Sequence, residues 1–136
     1  MEWVFDTSVT MAWCFDDEKT PETDALLDRL ASGSPGGVPQ IWPLEVANVL
    51  AQVARKGRVK PAQRRQFLAM LENAPITVDL LSTGSVFNDL LQLAEKYRLT
   101  SYDASYLELA MRASVPLATL DKALRRAAKD AGVALL

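Results

Sequence analysis

Short apolar segments alternate along this chain with longer segments of helical periodicity, and this alternation constrains the fold more than any other feature. Five segments have the length and the branched apolar composition of strands, at 2–6, 37–40, 76–79, 116–120 and 133–136. Helical segments separate them, which is the pattern of strands that run parallel in one sheet. The sequence therefore predicts an α/β domain with a parallel sheet.

Capping residues, prolines and glycines mark the ends of the predicted helices. Thr20 and Pro21 suit the N-cap and the first residue of a helix, and Gly57 ends a helix at about 43–56. Further helices are predicted at 61–73, at 82–98, at 101–114 with Ser101 as its cap, and at 122–131 before Gly132. No linker long enough to separate domains is present, so we expect one domain over residues 1–136.

The composition limits the compartment and the chemistry. A single cysteine, Cys14, cannot form an internal disulfide, Glu2 and Asp6 stand where a secretory signal carries positive charge, and no apolar run reaches the ~18 residues that span a bilayer. We therefore expect a cytoplasmic protein. The net charge is −2, so bulk positive charge does not hold a nucleic acid. Histidine is absent, which leaves carboxylates, hydroxyls, lysine or a metal ion for catalysis.

Two aspartates directly follow predicted strands, at the edge of a parallel sheet where ligands bind. Asp6 follows the first strand and Asp121 follows the fourth. An aspartate in such a position also caps the next helix in many proteins. For Asp121, which precedes a helical segment, this purely structural role is an equally good explanation.

Asp103 and Glu45 lie near the starts of two predicted helices, beside apolar positions. Asp103 shares a helical face with Tyr106 and Leu107, and a buried carboxylate without a partner is costly. The helix dipole stabilises an acid in the first turn by only about 0.3–1 kcal/mol, which is less than full burial costs. Glu45 flanks an apolar stripe, where a solvated surface glutamate is the alternative explanation.

Together, the four acids indicate a site for a divalent cation. Two carboxylates about 4 Å apart repel by roughly 4 kcal/mol at an effective dielectric constant of 20, so a cluster of four needs a counter-charge. Oxygen ligands without histidine or cysteine suit Mg²⁺ or Mn²⁺ better than zinc. Such an ion activates water and neutralises charge on a phosphodiester, which is the chemistry of metal-dependent nucleases.

Four segments resemble the signature segments of a known family, in order and in spacing. They are "DTSV" after the first strand, "PLEVANVL", "LTSYDASYLELA" and "LATLDKAL". The family is that of the PIN-domain nucleases, and specifically the VapC-type toxins of toxin–antitoxin pairs. The resemblance implies a three-layer α/β/α fold whose five-stranded parallel sheet has the order 3-2-1-4-5. It also implies cleavage of RNA that depends on Mg²⁺ or Mn²⁺.

The resemblance also implies roles for individual residues and for partners. The acidic quartet that binds metal and catalyses hydrolysis is matched by Asp6, Glu45, Asp103 and Asp121. Supporting polar residues are expected at Thr7, Ser8, Asn48 and Ser105. The implied partners are the RNA substrate, a second copy of the chain in a homodimer, and a VapB-type antitoxin that silences the nuclease. An arginine inserted among the carboxylates is the simplest way for an antitoxin to engage them.

Basic and aromatic residues are the remaining candidates for contacts. Two basic segments are candidates for binding RNA phosphates: one contains Arg55, Lys56, Arg58 and Lys60, and the other contains Lys122 and Arg125. A solvated basic surface explains each segment equally well. Core or interface positions, and not base stacking, are predicted for Trp3, Phe5, Trp13, Phe15 and Trp42. Because Trp13, Phe15 and Trp42 stand beside polar turns in a chain that is 49% apolar, they favour an exposed surface for a homodimer.

Two alternatives remain open. A receiver domain that accepts a phosphoryl group has a similar fold, but it expects two acids after its first strand and a lysine near its last. This chain has one acid in "FDTS" and no lysine within "VALL". A non-catalytic PIN domain that binds RNA or acts as a scaffold is the second alternative, and metal-dependent cleavage separates it from a nuclease.

Overall fold

The sheet is built around β1 (Trp3–Phe5), whose three side chains are fully buried. In the computed structural model, which describes residues 1–136, β1 lies between β2 (Gly36–Pro39) and β4 (Leu117–Ala118). β3 (Ile76–Asp79) flanks β2, and all three pairings are parallel. The predicted α/β class and the order of the first four strands are therefore confirmed, and every strand ends at the same edge of the sheet.

The fifth predicted strand, at 133–136, is reduced to a single bridge. Leu117 and Leu135 pair in parallel, Leu117 N donates to Ala134 O at 2.9 Å, and Leu136 N donates to Leu117 O at 3.0 Å. Because β4 itself comprises only two residues, it offers too little backbone for a longer pairing. The prediction of a full fifth strand is therefore wrong, although the segment lies where that strand is expected, beside β4.

Eight α-helices and a short 3-10 helix, Asp16–Glu18, connect the strands and cover the sheet. The α-helices are α1 (Thr7–Cys14), α2 (Pro21–Ala31), α3 (Trp42–Arg55), α4 (Pro61–Asn73), α5 (Thr83–Ser85), α6 (Leu91–Tyr97), α7 (Ser101–Ala113) and α8 (Lys122–Asp130). A π-helical turn, Val86–Leu90, joins α5 to α6, so the helix predicted at 82–98 is continuous without being uniformly α-helical. None of these helices has both the length and the apolar character that crossing a membrane requires.

Side-chain caps fix where the helices begin, with one difference from the prediction. Thr20 caps α2, and its hydroxyl accepts from Thr23 N at 3.1 Å, as the sequence indicates. For α7 the cap is Thr100, because its Oγ1 accepts from Asp103 N at 3.0 Å. Ser101 is the first helical residue, so the prediction that it caps this helix is wrong.

The aromatic residues form the centre of the core. Phe5 packs against Trp3, Trp13 and Trp42 with ring centroids 5.0, 5.3 and 6.0 Å apart, and Phe15 is also buried. The indole N–H groups are satisfied inside the protein, since Trp13 donates to Thr23 O and Trp42 donates to the Thr10 hydroxyl, each at 2.9 Å.

The prediction that Trp13, Phe15 and Trp42 supply an exposed interface is therefore wrong. The exposed apolar side chains lie elsewhere, and three of them come after β3 and on the helical segment that follows it. Leu80, Phe87 and Leu91 are 77%, 68% and 50% exposed. Cys14 is a buried free thiol, as an apolar role predicts.

Candidate active site at the carboxyl edge of the sheet

The four predicted acids all lie where helices begin at the carboxyl edge of the sheet. Asp6 caps α1 and Asp121 caps α8, while Glu45 and Asp103 lie in the first turns of α3 and α7. Because the strands are parallel, the helix starts that follow them meet at one edge. The fold therefore brings together residues that are far apart in the sequence.

Asp6 is the most buried of the four, and both of its carboxylate oxygens are hydrogen-bonded. Oδ1 accepts from Ser8 Oγ at 2.5 Å and from Val9 N at 3.2 Å, and Oδ2 accepts from the hydroxyl of Thr119. Burial raises the pKa of Asp6 above its ordinary value, against the opposing effect of these hydrogen bonds. Asp6 is thus held rigidly at the end of β1.

Glu45 belongs to a second hydrogen-bonded group. Its Oε1 accepts from the Tyr106 hydroxyl at 2.5 Å and from Thr7 Oγ1 at 3.2 Å, and the two hydroxyl oxygens are 3.0 Å apart. Burial and the bond to Glu45 raise the pKa of Tyr106, so the phenol stays protonated and donates. Glu45 is therefore oriented by side chains from α1 and α7.

The negative charges of the other three acids act on Asp103. Burial, followed by the negative charges of Asp121, Asp6 and Glu45, raises the pKa of Asp103 to about 6, against the opposing effect of the Thr100 hydroxyl. Three separate acids act on one carboxyl group. The four carboxylates therefore share one electrostatic environment.

Asp121 performs the structural role that its sequence position allows, and it also faces the other acids. Its Oδ1 accepts from Leu124 N at 2.8 Å, which caps α8, and its own N donates to Thr119 Oγ1 at 3.0 Å. Its side chain is exposed, and its charge contributes to the raised pKa values of Asp103 and Asp6. The two explanations offered for this residue are therefore compatible.

No lysine or arginine neutralises the four acids. The ion pairs of the molecule join Lys19, Arg58 and Arg112 to other carboxylates. As the side chains stand, no three of them are arranged to hold a metal ion. Asp6 is hydrogen-bonded to Ser8 and Thr119, and Glu45 to Thr7 and Tyr106. The donor set of four carboxylates, without nitrogen or sulfur, nevertheless fits a hard divalent cation.

The four predicted supporting residues divide into two pairs. Thr7 and Ser8 take part in the hydrogen-bonded groups around Glu45 and Asp6. Asn48 is exposed and makes no hydrogen bond to the acids. Ser105 is buried, but its hydroxyl donates to Tyr102 O at 2.5 Å, within its own helix. The structure thus joins the first pair to the acids and not the second.

Two residues of the site were not predicted from the sequence to act there. Tyr106 lies three residues after Asp103, on a face of α7 that the sequence marks as apolar, and only its hydroxyl reaches Glu45. Thr119 precedes Asp121 by two residues and binds both Asp6 and the backbone of Asp121. No local pattern in the sequence indicates Thr119, because its place in the site depends on Asp6, which is 113 residues away.

Two of the basic residues predicted to contact RNA lie near the acids, and four lie farther away. Lys122 and Arg125 belong to the start of α8, next to Asp121. The other four, Arg55, Lys56, Arg58 and Lys60, lie at the far end of α3 or beyond it. At 1.5 Å per residue this end is about 15 Å from Glu45. Arg58 is already paired with Asp17 at 2.9 Å and lies over the Phe15 ring.

Comparisons with known proteins identify relatives of the sequence. A family model described as "PIN domain" matches residues 3–130. Ribonuclease VapC3 of Pyrobaculum aerophilum is 35% identical over 80 residues, which is 59% of this chain. The match spans 61% of that relative, which is less than two-thirds of its length.

Solved structures share the fold. PAE2754 from Pyrobaculum aerophilum is 22% identical with a TM-score of 0.71, over 93% of this chain and 84% of that one. FitAcB from Neisseria gonorrhoeae is 17% identical with a TM-score of 0.65, over 98% and 96%. A toxin–antitoxin complex from Klebsiella pneumoniae is 17% identical with a TM-score of 0.59, over 88% and 87%. At these identities the likeness concerns the fold alone.

Proposed function

The chain belongs to the PIN-domain family, and on that premise we propose that it is a Mg²⁺- or Mn²⁺-dependent endoribonuclease, the toxin of a VapBC-type toxin–antitoxin pair. The observation that carries the proposal is the meeting of Asp6, Glu45, Asp103 and Asp121 at one edge of the sheet, with no basic side chain to neutralise them. The relative named ribonuclease VapC3 supports the same activity. The proposed setting is the cytoplasm.

The four acids are the proposed metal ligands and catalytic residues. A divalent cation, when bound, activates water and neutralises the charge that develops on the phosphodiester. The chain's own contribution is to position the carboxylates. Tyr106 and Thr7 hold Oε1 of Glu45, and Ser8 and Thr119 hold Asp6. These hydroxyls are therefore positioning groups, and they act through the carboxylates that they contact.

The products follow from the absence of histidine. A nuclease that uses the ribose 2′-hydroxyl as its nucleophile needs a general base near that hydroxyl, commonly histidine, and this chain has none. Attack by water in line with the leaving oxygen instead breaks the bond from phosphorus to the 3′ oxygen. We therefore expect a 5′-phosphate and a 3′-hydroxyl.

The test measures cleavage of RNA by the purified chain with Mg²⁺, with Mn²⁺ and in EDTA. Asp6→Asn is the control, and the product ends are mapped across total cellular RNA. Cleavage that requires the metal and Asp6 is expected. Full activity in EDTA or in Asp6→Asn contradicts the metal site, and 2′,3′-cyclic phosphate as the primary product contradicts the mechanism. Binding of RNA without cleavage under any condition favours the non-catalytic PIN domain.

The same proposal includes a homodimer and an antitoxin. One structural neighbour is a toxin–antitoxin complex, and unneutralised carboxylates suit an arginine from an inhibitor. The exposed Leu80, Phe87 and Leu91 are the side chains we propose for the surface between the two copies.

We expect a dimer by light scattering from the chain alone, and a shift toward monomer in Phe87→Glu. Co-expression with the product of the neighbouring gene is expected to give a stable complex that lacks nuclease activity. An active monomer with no copurifying protein argues against both partners.

A further inference from the structure

We propose that the outer face of α8 guides the RNA backbone to the acidic edge, and that Arg126 and Lys129 bind substrate phosphates on one side of the cleaved bond. This inference rests on the proposed function and adds a substrate-binding surface to it. The surface is defined by the basic residues of α8, Lys122, Arg125, Arg126 and Lys129.

Helix α8 separates its residues sharply by polarity. Leu124, Ala127 and Ala128 are buried against the rest of the domain, while four basic residues and Asp130 form the outer side. These five charged residues line one surface depression that contains no apolar side chain. In a chain whose net charge is −2, α8 has four basic residues against one acidic residue.

The basic residues of α8 are free of ion pairs. Lys19, Arg58 and Arg112 are each paired with an acid, and none of the four on α8 is. Arg125 lies one turn from Asp121, yet its guanidinium donates to Thr119 O at 3.0 Å. Positive charge beside a cluster of acids is therefore left available to an external anion.

The position of the surface relates it to the proposed reaction. α8 begins directly after Asp121, so its basic face starts at the acidic edge and extends about 10 Å from Lys122 to Lys129 at 1.5 Å per residue. Four carboxylates repel a polyanion that must bring a phosphate among them. Local positive charge on one flank offsets this repulsion and attracts the adjoining phosphates.

RNA fits this face better than it fits the other basic segment. Around Arg55 and Lys56, the neighbouring Arg58 already binds Asp17, and the segment lies about 15 Å from Glu45 by helix rise. An acidic segment of a partner protein is the other polyanion that a basic helix accepts. The experiment separates these cases.

The test compares two variants that each lose two positive charges, Arg126→Gln/Lys129→Gln on α8 and Arg55→Gln/Lys56→Gln on α3. Binding of a labelled single-stranded RNA is measured against salt concentration in the cleavage-deficient Asp103→Asn protein with Mg²⁺. We expect the α8 variant to weaken binding by about tenfold and to lower the slope of log K against log salt by about 1.4, since each phosphate contact contributes roughly 0.7 for single strands. A smaller loss is expected from the α3 variant.

A charge-preserving variant separates the effect of charge from any effect on folding. Arg126→Lys/Lys129→Arg is expected to bind RNA like its parent. In the nuclease-active protein, the α8 variant is expected to raise KM for long RNA and to leave kcat unchanged.

Several outcomes overturn the inference. If the α8 variant binds RNA with the parent's affinity and salt slope, the inference is wrong but the proposed function stands. The same holds if the α3 variant loses more affinity than the α8 variant. Loss of a copurifying partner with RNA binding intact assigns the face to an acidic protein instead. If the parent neither binds nor cleaves RNA, the proposed function itself fails.

Discussion

The two ends of α7 hold acidic side chains in opposite electrostatic surroundings. Near its end, Glu108 and Asp79 share Arg112, whose Nε donates to Glu108 Oε1 at 2.7 Å, and both acids raise the pKa of the guanidinium. At its start, Asp103 faces three further carboxylates and no basic group, and its pKa is raised to about 6. One helix thus carries a neutralised cluster and an unneutralised one.

The difference supports the proposal that Glu108 is a structural acid and Asp103 an acid of the active site. The cluster around Arg112 is electrostatically complete and needs nothing from outside the chain. On the proposed function, the charges of the cluster around Asp103 are neutralised only when a cation or an arginine from another molecule enters it. A fold that keeps like charges together loses stability by doing so, which is the usual cost of a site shaped for a ligand.

The largest expected effect comes from replacing one acid at each end of α7 by its amide. Asp103→Asn is expected to lower RNA cleavage at least about 100-fold, because it removes a ligand of the proposed metal site. Glu108→Gln, the matched control on the same helix, is expected to cleave at the parental rate in the same Mg²⁺ assay. If both variants lose the same cleavage activity, or if Asp103→Asn is fully active, the proposed difference in function between the two clusters is wrong.

An intermediate effect is expected from the hydroxyl of Tyr106, which orients Glu45 from α7. Tyr106→Phe keeps the ring and deletes only the oxygen that lies 2.5 Å from Glu45 Oε1. Loss of a group that positions a metal ligand typically costs about 10- to 100-fold in metal affinity or activity. The dependence of the cleavage rate on Mg²⁺ concentration measures this loss in Tyr106→Phe. Recovery of the cleavage rate at high Mg²⁺ is the expected sign of weakened metal binding. Ser105→Ala serves as the control, since that hydroxyl bonds within α7, and it is expected to stay near parental activity.

The smallest effect is on stability, and it has opposite signs at the two ends of α7. The pKa of Asp103 rises from 3.8 to about 6 on folding, so without metal the parent loses stability as pH rises between these values. Because the side chain is half exposed, solvent screening reduces the effect to roughly 1 kcal/mol. In EDTA at pH 7, Asp103→Asn should therefore be more stable than the parent.

Glu108→Gln should be less stable than the parent by up to about 1 kcal/mol, because it weakens a partly exposed ion pair. Urea unfolding from pH 4 to 7 measures both variants. The same sign for both contradicts the comparison.

Features with a local signal were predictable from the sequence, and features that depend on distant partners were not. Asp6 and Asp121 follow apolar strands and cap helices, so neighbouring residues reveal their positions. Thr119 is important because it bonds to Asp6, 113 residues away, and no local pattern encodes that contact. Helix α1 escaped prediction for a related reason. All its residues from Val9 to Cys14 are buried, so no polar stripe marks the helical period.

Burial of the tryptophans was predictable in part. Their size places them in the core, but whether their polar N–H groups keep them at the surface depends on acceptors elsewhere. Trp42 finds the Thr10 hydroxyl, which is 32 residues away. The exposed positions predicted for Trp13 and Trp42 are wrong for this reason, while the apolar ring of Phe15 needs no such partner to be buried.

The bond between Asp6 and Thr119 also limits when the site can assemble during translation. β1 and Asp6 precede the other strands in the sequence, so β1 has its neighbours only after β2 and then β4 have been translated. Asp121, the last of the four acids, follows Thr119 by two residues. A ribosome must therefore translate past residue 121 before the four acids can assemble.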